Sequence, residues 1–201
     1  MSSRVTQNVD LIFQSKSNVC GQKSKKGGAD YCGNLLSFYC ALVCVADLRW
    51  QNSYDQPLDF NCPTGQSISR IVSEHHNKYE DRLWDFGCKA TFDTATNCFT
   101  SSYVNAFDKP FSYQCPSHQV ITGMHSYHEN KYEDRRWKFT CCGASNFCTD
   151  TCQWTNYVNW FDEAFTFNVP PNSYLNAAES YHENKYEDRR WKFQHCTRRS
   201  C

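Results

Sequence analysis

The chain has 201 residues with 14 Cys, 14 Phe, 12 Tyr and 6 Trp, a richness in rings and thiols that excludes a disordered tail or a collagen-like rod. Cysteine at this density, with no CxxC…CxxC pair at zinc-ribbon spacing, reads as a disulfide scaffold from an oxidising compartment. Lys+Arg 21 and Asp+Glu 21 cancel, so no global field draws the chain to nucleic acid or an anionic membrane.

In chain order, residues 1–46 come first and carry Arg4, Lys16, Lys23, Lys25 and Lys26 against Asp10 and Asp30. They end in the apolar run Leu35 to Ala46, preceded by QKSKKGG, which is the basic-then-apolar order of a secretory signal and too short to span a bilayer. The expected mature start lies near Asp47, with Cys20, Cys32, Cys40 and Cys44 removed. The polar stretch before the run is overlong for a leader; an upstream extension or an N-terminal tail accounts for it equally, and a buried apolar strand is the competing reading.

From Trp50 onward the chain repeats. Trp50 to Cys88 aligns without gaps to Tyr103 to Cys141, and Tyr157 to His195 is a third copy. The expected domain is 47–201, with repeats 50–88, 103–142 and 157–196. Each copy carries Asn-x-[Tyr/Phe]-Asp, Ser-x-His and Asn-Lys-Tyr-Glu-Asp-Arg-x-Trp-x-Phe, and three copies predict a quasi-threefold architecture. Within a copy the apolar period is two: Leu58, Phe60 and Cys62 share one parity, as do Trp84, Phe86 and Cys88. The expected fold is all-β, one disulfide-rich domain of three β repeats, β-trefoil- or prism-like, with three or four short strands each.

The repeats constrain the disulfides. Cys62 and Cys88 occupy the positions of Cys115 and Cys141, and the third copy loses both together, to Val169 and His195. This predicts Cys62–Cys88 and Cys115–Cys141, then Cys98–Cys142 and Cys152–Cys196 by symmetry, and Cys148–Cys201 from the remainder. The adjacent Cys141 and Cys142 leave an exchange of partners open.

Trp84, Trp137 and Trp191 read as core. Arg82, Arg135 and Arg189 share their parity and are expected to lay their stems on rings and pair with acids, so Asp81, Asp134 and Asp188 complete a structural motif. Candidate ligand contacts are the polar tips and the outward x position: Tyr79, Glu80, Tyr132, Glu133, Arg136, Tyr186, Glu187 and Arg190. Tyr flanked by acids is also a sulfation context, against which stands a merely solvated turn. His75, His128 and His182 recur once per copy; three separated places argue against catalysis or a metal site unless the rings meet on a common axis. No GxSxG, HExxH, phosphate-binding Gly loop or EF-hand pattern occurs, so neither enzyme activity nor a cofactor is expected.

The thrice-repeated Asp-Arg-x-Trp-x-Phe, the Cys141-Cys142 doublet and the ten-Cys pattern resemble the dermatopontin family of tyrosine-rich matrix proteins. The likeness covers about residues 47–201; residues 1–33 have no counterpart in it. It implies secretion to the extracellular matrix and partners such as collagen, decorin-like proteoglycans and cell-surface receptors or glycans, in support of collagen fibril organisation and cell adhesion. Self-association stays open. Invertebrate members look like haemagglutinins and aggregation factors, which makes a multivalent lectin the alternative, with three equivalent shallow pockets.

Overall fold

The computed structural model describes residues 50–199 and Cys201. The leader expected over residues 1–46, its four cysteines and the start near Asp47 lie outside the described residues. Among the described residues there is no helix, and so none long and apolar enough to cross a membrane. The strands are β1 (Leu58–Asn61), β2 (Gln66–His76), β3 (Asp81–Ala90), β4 (Thr96–Thr100), β5 (Phe111–Gln114), β6 (Val120–Glu129), β7 (Asp134–Ala144), β8 (Cys148–Trp154), β9 (Phe165–Asn168), β10 (Ser173–Glu183) and β11 (Asp188–Arg199).

Each copy builds one long antiparallel hairpin, β2–β3, β6–β7 or β10–β11. Its short first strand pairs elsewhere: β1 joins β6, β5 joins β10 and β9 joins β2. Every hairpin thus receives a strand from the preceding copy and the order closes on itself, which is compatible with a quasi-threefold fold. Three sheets result, β1-β6-β7-β4, β5-β10-β11-β8 and β3-β2-β9. A bulge at the same place in each hairpin leaves Ser69, Thr122 and Asn176 out of the ladder. The freed carbonyls accept the N–H groups just after the incoming strands: Val169 to Ser69 at 2.9 Å, Cys62 to Thr122 at 2.8 Å and Cys115 to Asn176 at 3.0 Å.

The alternation of period two fills the centre. Trp84, Trp137 and Trp191 are fully buried and meet edge to face, with centroids 5.0, 5.2 and 4.8 Å apart. Burying each ring stabilises by roughly 2–3 kcal/mol, and the edge-to-face contacts add to that. Phe86, Phe139 and Phe193 extend the same row, stacked on Phe60, Tyr113 and Phe167.

Five disulfides close the domain: Cys62–Cys88, Cys98–Cys142, Cys115–Cys141, Cys148–Cys201 and Cys152–Cys196. The Cys141-Cys142 ambiguity is resolved by the pleat, since neighbours on one strand point to opposite faces. Cys142 stands directly opposite Cys98 in the β4–β7 ladder, whereas Cys141 turns into the core toward Cys115. Cys62–Cys88 and Cys115–Cys141 each tie the end of a short strand to a hairpin of a different sheet. Between β9 and β11 the same tie is missing, and Val169 and half-buried His195 stand there. Restoring it with Val169→Cys and His195→Cys closes a loop of the same length as its two counterparts. The gain expected is about 2–4 kcal/mol, a rise in Tm of roughly 5–10 °C, read by calorimetry of the oxidised variant against the parent chain.

Candidate functional site

The conserved spacing inside the three copies builds three equivalent joints between neighbouring repeats. Asn52, Asn105 and Asn159 clamp the motif strand from its edge. Each amide donates to the carbonyl of Arg82, Arg135 or Arg189 at 2.9–3.0 Å and accepts the N–H of the following Trp. The clamped arginine reaches across to the previous copy. Arg135 donates Nε and Nη2 to Asp81 at 2.6 Å each, Arg189 does so to Asp134 at 2.6 and 2.7 Å, and Arg82 to Asp188 at 2.6 and 2.7 Å. These forks are almost wholly buried, and together they close the ring: first copy to third, second to first, third to second.

Each fork is also held from the backbone. The backbone N–H of Asp55, Asp108 and Asp162 donates to the same Asp carboxylate at 2.8–2.9 Å. Each of these three residues holds a positive φ, between 60° and 64°, and the Glu preceding each motif Asp also does, at 44° to 47°. Left-handed backbone at six non-glycine positions costs roughly 1–2 kcal/mol apiece, and such strain gathers at sites the fold holds in place. Against each joint lies one histidine. His128 Nδ1 is 3.5 Å from Asp55 Oδ1, His75 Nδ1 is 3.6 Å from Asp162 Oδ1, and His182 Nδ1 is 3.8 Å from Asp108 Oδ1. The other ring nitrogen faces the inward glutamate: His75 Nε2 stands 3.8 Å from Glu80, and His128 Nε2 3.6 Å from Glu133.

Where the copies meet, Glu80, Glu133 and Glu187 line a cavity of about 20 Å³ together with the three tryptophans, room for one water-sized group. All three indole N–H groups lack a hydrogen-bond partner within the protein. Burial, and then the Glu187 carboxylate, raise the Glu80 carboxyl above its usual range. Burial also raises that of Glu133, with Glu187, Asp55 and Glu80 adding to it and His128 opposing. Burial pushes the His182 imidazole down, and Asp134 pulls the other way.

The outward side is different in kind. Arg136 donates Nε to the Asn105 carbonyl at 2.9 Å and lies over the rings of Tyr103 and Phe107, with Lys138 also over Tyr103. In the third copy Arg190 repeats the bond to Asn159 and lies 4.4 Å from the Tyr157 centroid and 4.1 Å from that of Trp160, with Lys192 over Tyr157. Trp160 is 54% exposed. The first copy has Leu83 and Asp85 in place of the Arg and Lys and carries Lys78 over the Tyr79 ring, so the arginine-centred platform is built in the second and third copies.

The ligand candidates read from sequence therefore divide. Arg136 and Arg190 are on the platforms. Tyr132 and Tyr186 stack on Phe107 and Phe161, which the same arginines overlie, while Tyr79 stacks on Tyr54 in the first copy. Glu80, Glu133 and Glu187 point instead to the centre. The tip is no solvated turn throughout, because Asp81, Asp134 and Asp188 are buried in the forks. The histidines do not meet on an axis; each serves its own joint. Sequence reasoning passed over Asn52, Asn105, Asn159, Asp55, Asp108 and Asp162, although their identity in all three copies was the available signal.

A profile of the family described as Dermatopontin matches residues 52–201. The chain belongs to the dermatopontin family. It is 46% identical over 154 residues to the hemagglutinin/amebocyte aggregation factor of Limulus polyphemus, covering 76% of this chain and 89% of that protein. It is 44% identical to the dermatopontin of Biomphalaria glabrata, over 70% of this chain and 95% of the relative. Millepora cytotoxin-1 of Millepora dichotoma is 41% identical, over 72% of this chain and 65% of the relative. No solved structure matches significantly.

Proposed function

We propose that the chain is a secreted, non-catalytic adhesion protein of the extracellular matrix that binds collagen, decorin-like proteoglycans and cell surfaces through its second and third repeats. The observation carrying this reading is the pair of platforms at Arg136 and Arg190, each a guanidinium laid on exposed or half-exposed rings. A guanidinium fork pairs with sulfate or carboxylate, while a ring face packs on the C–H face of a sugar. The anionic glycan chains of a proteoglycan offer both. The joints, in contrast, are buried and hold the ring together.

A multivalent lectin is the second reading, favoured by the exposure of Trp160 and by the aggregation-factor relative. A glycan array run beside solid-phase collagen and decorin assays separates the two. For Arg136→Ala/Arg190→Ala, binding to the preferred partner is expected to fall at least tenfold, about 1.4 kcal/mol, with unchanged circular dichroism. Undiminished binding would rule the platforms out.

A further inference from the structure

The three joints hold a repeated set of buried polar atoms that the fold does not satisfy. Both ring nitrogens of His75, His128 and His182 lack a hydrogen-bond partner, as do Oδ1 of Asp55, Asp108 and Asp162. The imidazoles are at most 1% exposed as side chains, so bulk water does not satisfy them, and an unpartnered buried polar group is costly. The same shortage three times over, at equivalent positions, is a property of the design rather than an accident of one loop.

We propose that each joint is a binding site for a divalent cation of the zinc or manganese class, held by one imidazole nitrogen and two carboxylate oxygens. The three sites are His128 with Asp55 and Asp81, His182 with Asp108 and Asp134, and His75 with Asp162 and Asp188, whose donor atoms lie within 4.8 Å of one another. Two donors held about 2.1 Å from one tetrahedral ion stand about 3.4 Å apart. The His–Asp distances of 3.5, 3.6 and 3.8 Å are close to that, and too long for direct hydrogen bonds.

The lone-pair count agrees. Asp81 Oδ2 already accepts from Arg135 Nη2 and from the Asp55 N–H, but Oδ1 accepts only from Arg135 Nε and keeps one lone pair. Charge agrees too. Among the described residues no Lys or Arg forms an ion pair with Asp55, Asp108, Asp162, Glu80, Glu133 or Glu187, so each joint carries acidic groups beyond the one aspartate its arginine neutralises. Glu80 and Glu133 stand 3.8 and 3.6 Å from the second ring nitrogens of His75 and His128, on the side where an outer carboxylate would sit beside a metal-bound imidazole, but at these distances neither accepts a hydrogen bond from the ring. Because the histidine and the two aspartates come from different copies, an ion at each joint pins adjacent repeats together. This departs from the sequence expectation of no metal site, which weighed one shared ion and not three separate ones.

The test uses the secreted protein stripped with EDTA and dialysed, titrated with ZnCl2, MnCl2 and CaCl2 by calorimetry, with bound metal counted by plasma emission. Three Zn²⁺ or Mn²⁺ per chain are expected, together with a rise in Tm. Asp55→Asn, which keeps the side-chain size and tolerates the positive φ, should bind two, and the triple variant with Asp108→Asn and Asp162→Asn none. No binding to the parent protein at 100 μM metal, roughly the weakest affinity that would matter for a structural site, overturns the proposal, and that result needs no variant. Three ions still bound by the triple variant would place them on surface histidines and overturn it as well. Calcium binding as tight as zinc would remove the imidazole from the site and do the same.

Discussion

Arg135→Ala is expected to destabilise the domain by about 3–5 kcal/mol, because it leaves Asp81 charged, buried and unpaired. The loss exceeds that of an ordinary surface pair, since the Asp81 side chain is only 2% exposed and the fork also grips the Gln56 carbonyl of the preceding copy at 3.0 Å. Lysine keeps the charge but not the two-pronged geometry, so Arg135→Lys recovers only part of the loss. The neighbouring Arg136→Ala removes stacking on half-exposed rings and is expected to cost about 0.5–1 kcal/mol. Urea denaturation of the three variants checks this order. Similar midpoints for Arg135→Ala and Arg136→Ala would mean that the buried forks do not hold the ring.

Trp137→Ala is expected to cost about 3–5 kcal/mol through the cavity it opens. The indole meets Trp84 and Trp191 at once, so the neighbouring copies cannot close over the hole without breaking their own contacts. Secreted yield should collapse while Arg136→Ala secretes normally. If Trp137→Ala reached the medium in normal amount and lost only ligand binding, the ring would be a surface platform.

Much of this fold was legible in the sequence, and what was not has a physical reason. The alternation through Trp137, Phe139 and Cys141 named the buried face of a strand correctly, since period two ties parity to face. The same alternation says nothing about which strand lies alongside, so the transfer of β1, β5 and β9 to a neighbouring copy could not be read from it. The parity of Arg135 with Trp137 placed the arginine inward. Its partner was hidden because Asp81 is adjacent to Arg82, a contact suggesting pairing within one tip, whereas the geometry links each arginine to another copy's aspartate. For the histidines, the spacing put one in each copy, and the structure seats each against two aspartates of a neighbouring copy. The missing element was Asp55 and its equivalents, visible in the sequence only as the last residue of a repeated motif, whose carboxylates face the imidazoles.

Agglutination by single-platform variants tests most directly the claim that two outward platforms, and not the ring's interior, carry adhesion. Cross-linking of particles needs at least two sites per chain, whereas attachment needs one. With chains verified as monomers by sedimentation, Arg136→Ala and Arg190→Ala alone are each expected to abolish agglutination of proteoglycan-coated beads while still binding a single bead surface. The double variant should do neither. Single variants that agglutinate as strongly as the parent chain, or a double variant that still binds, would contradict the account.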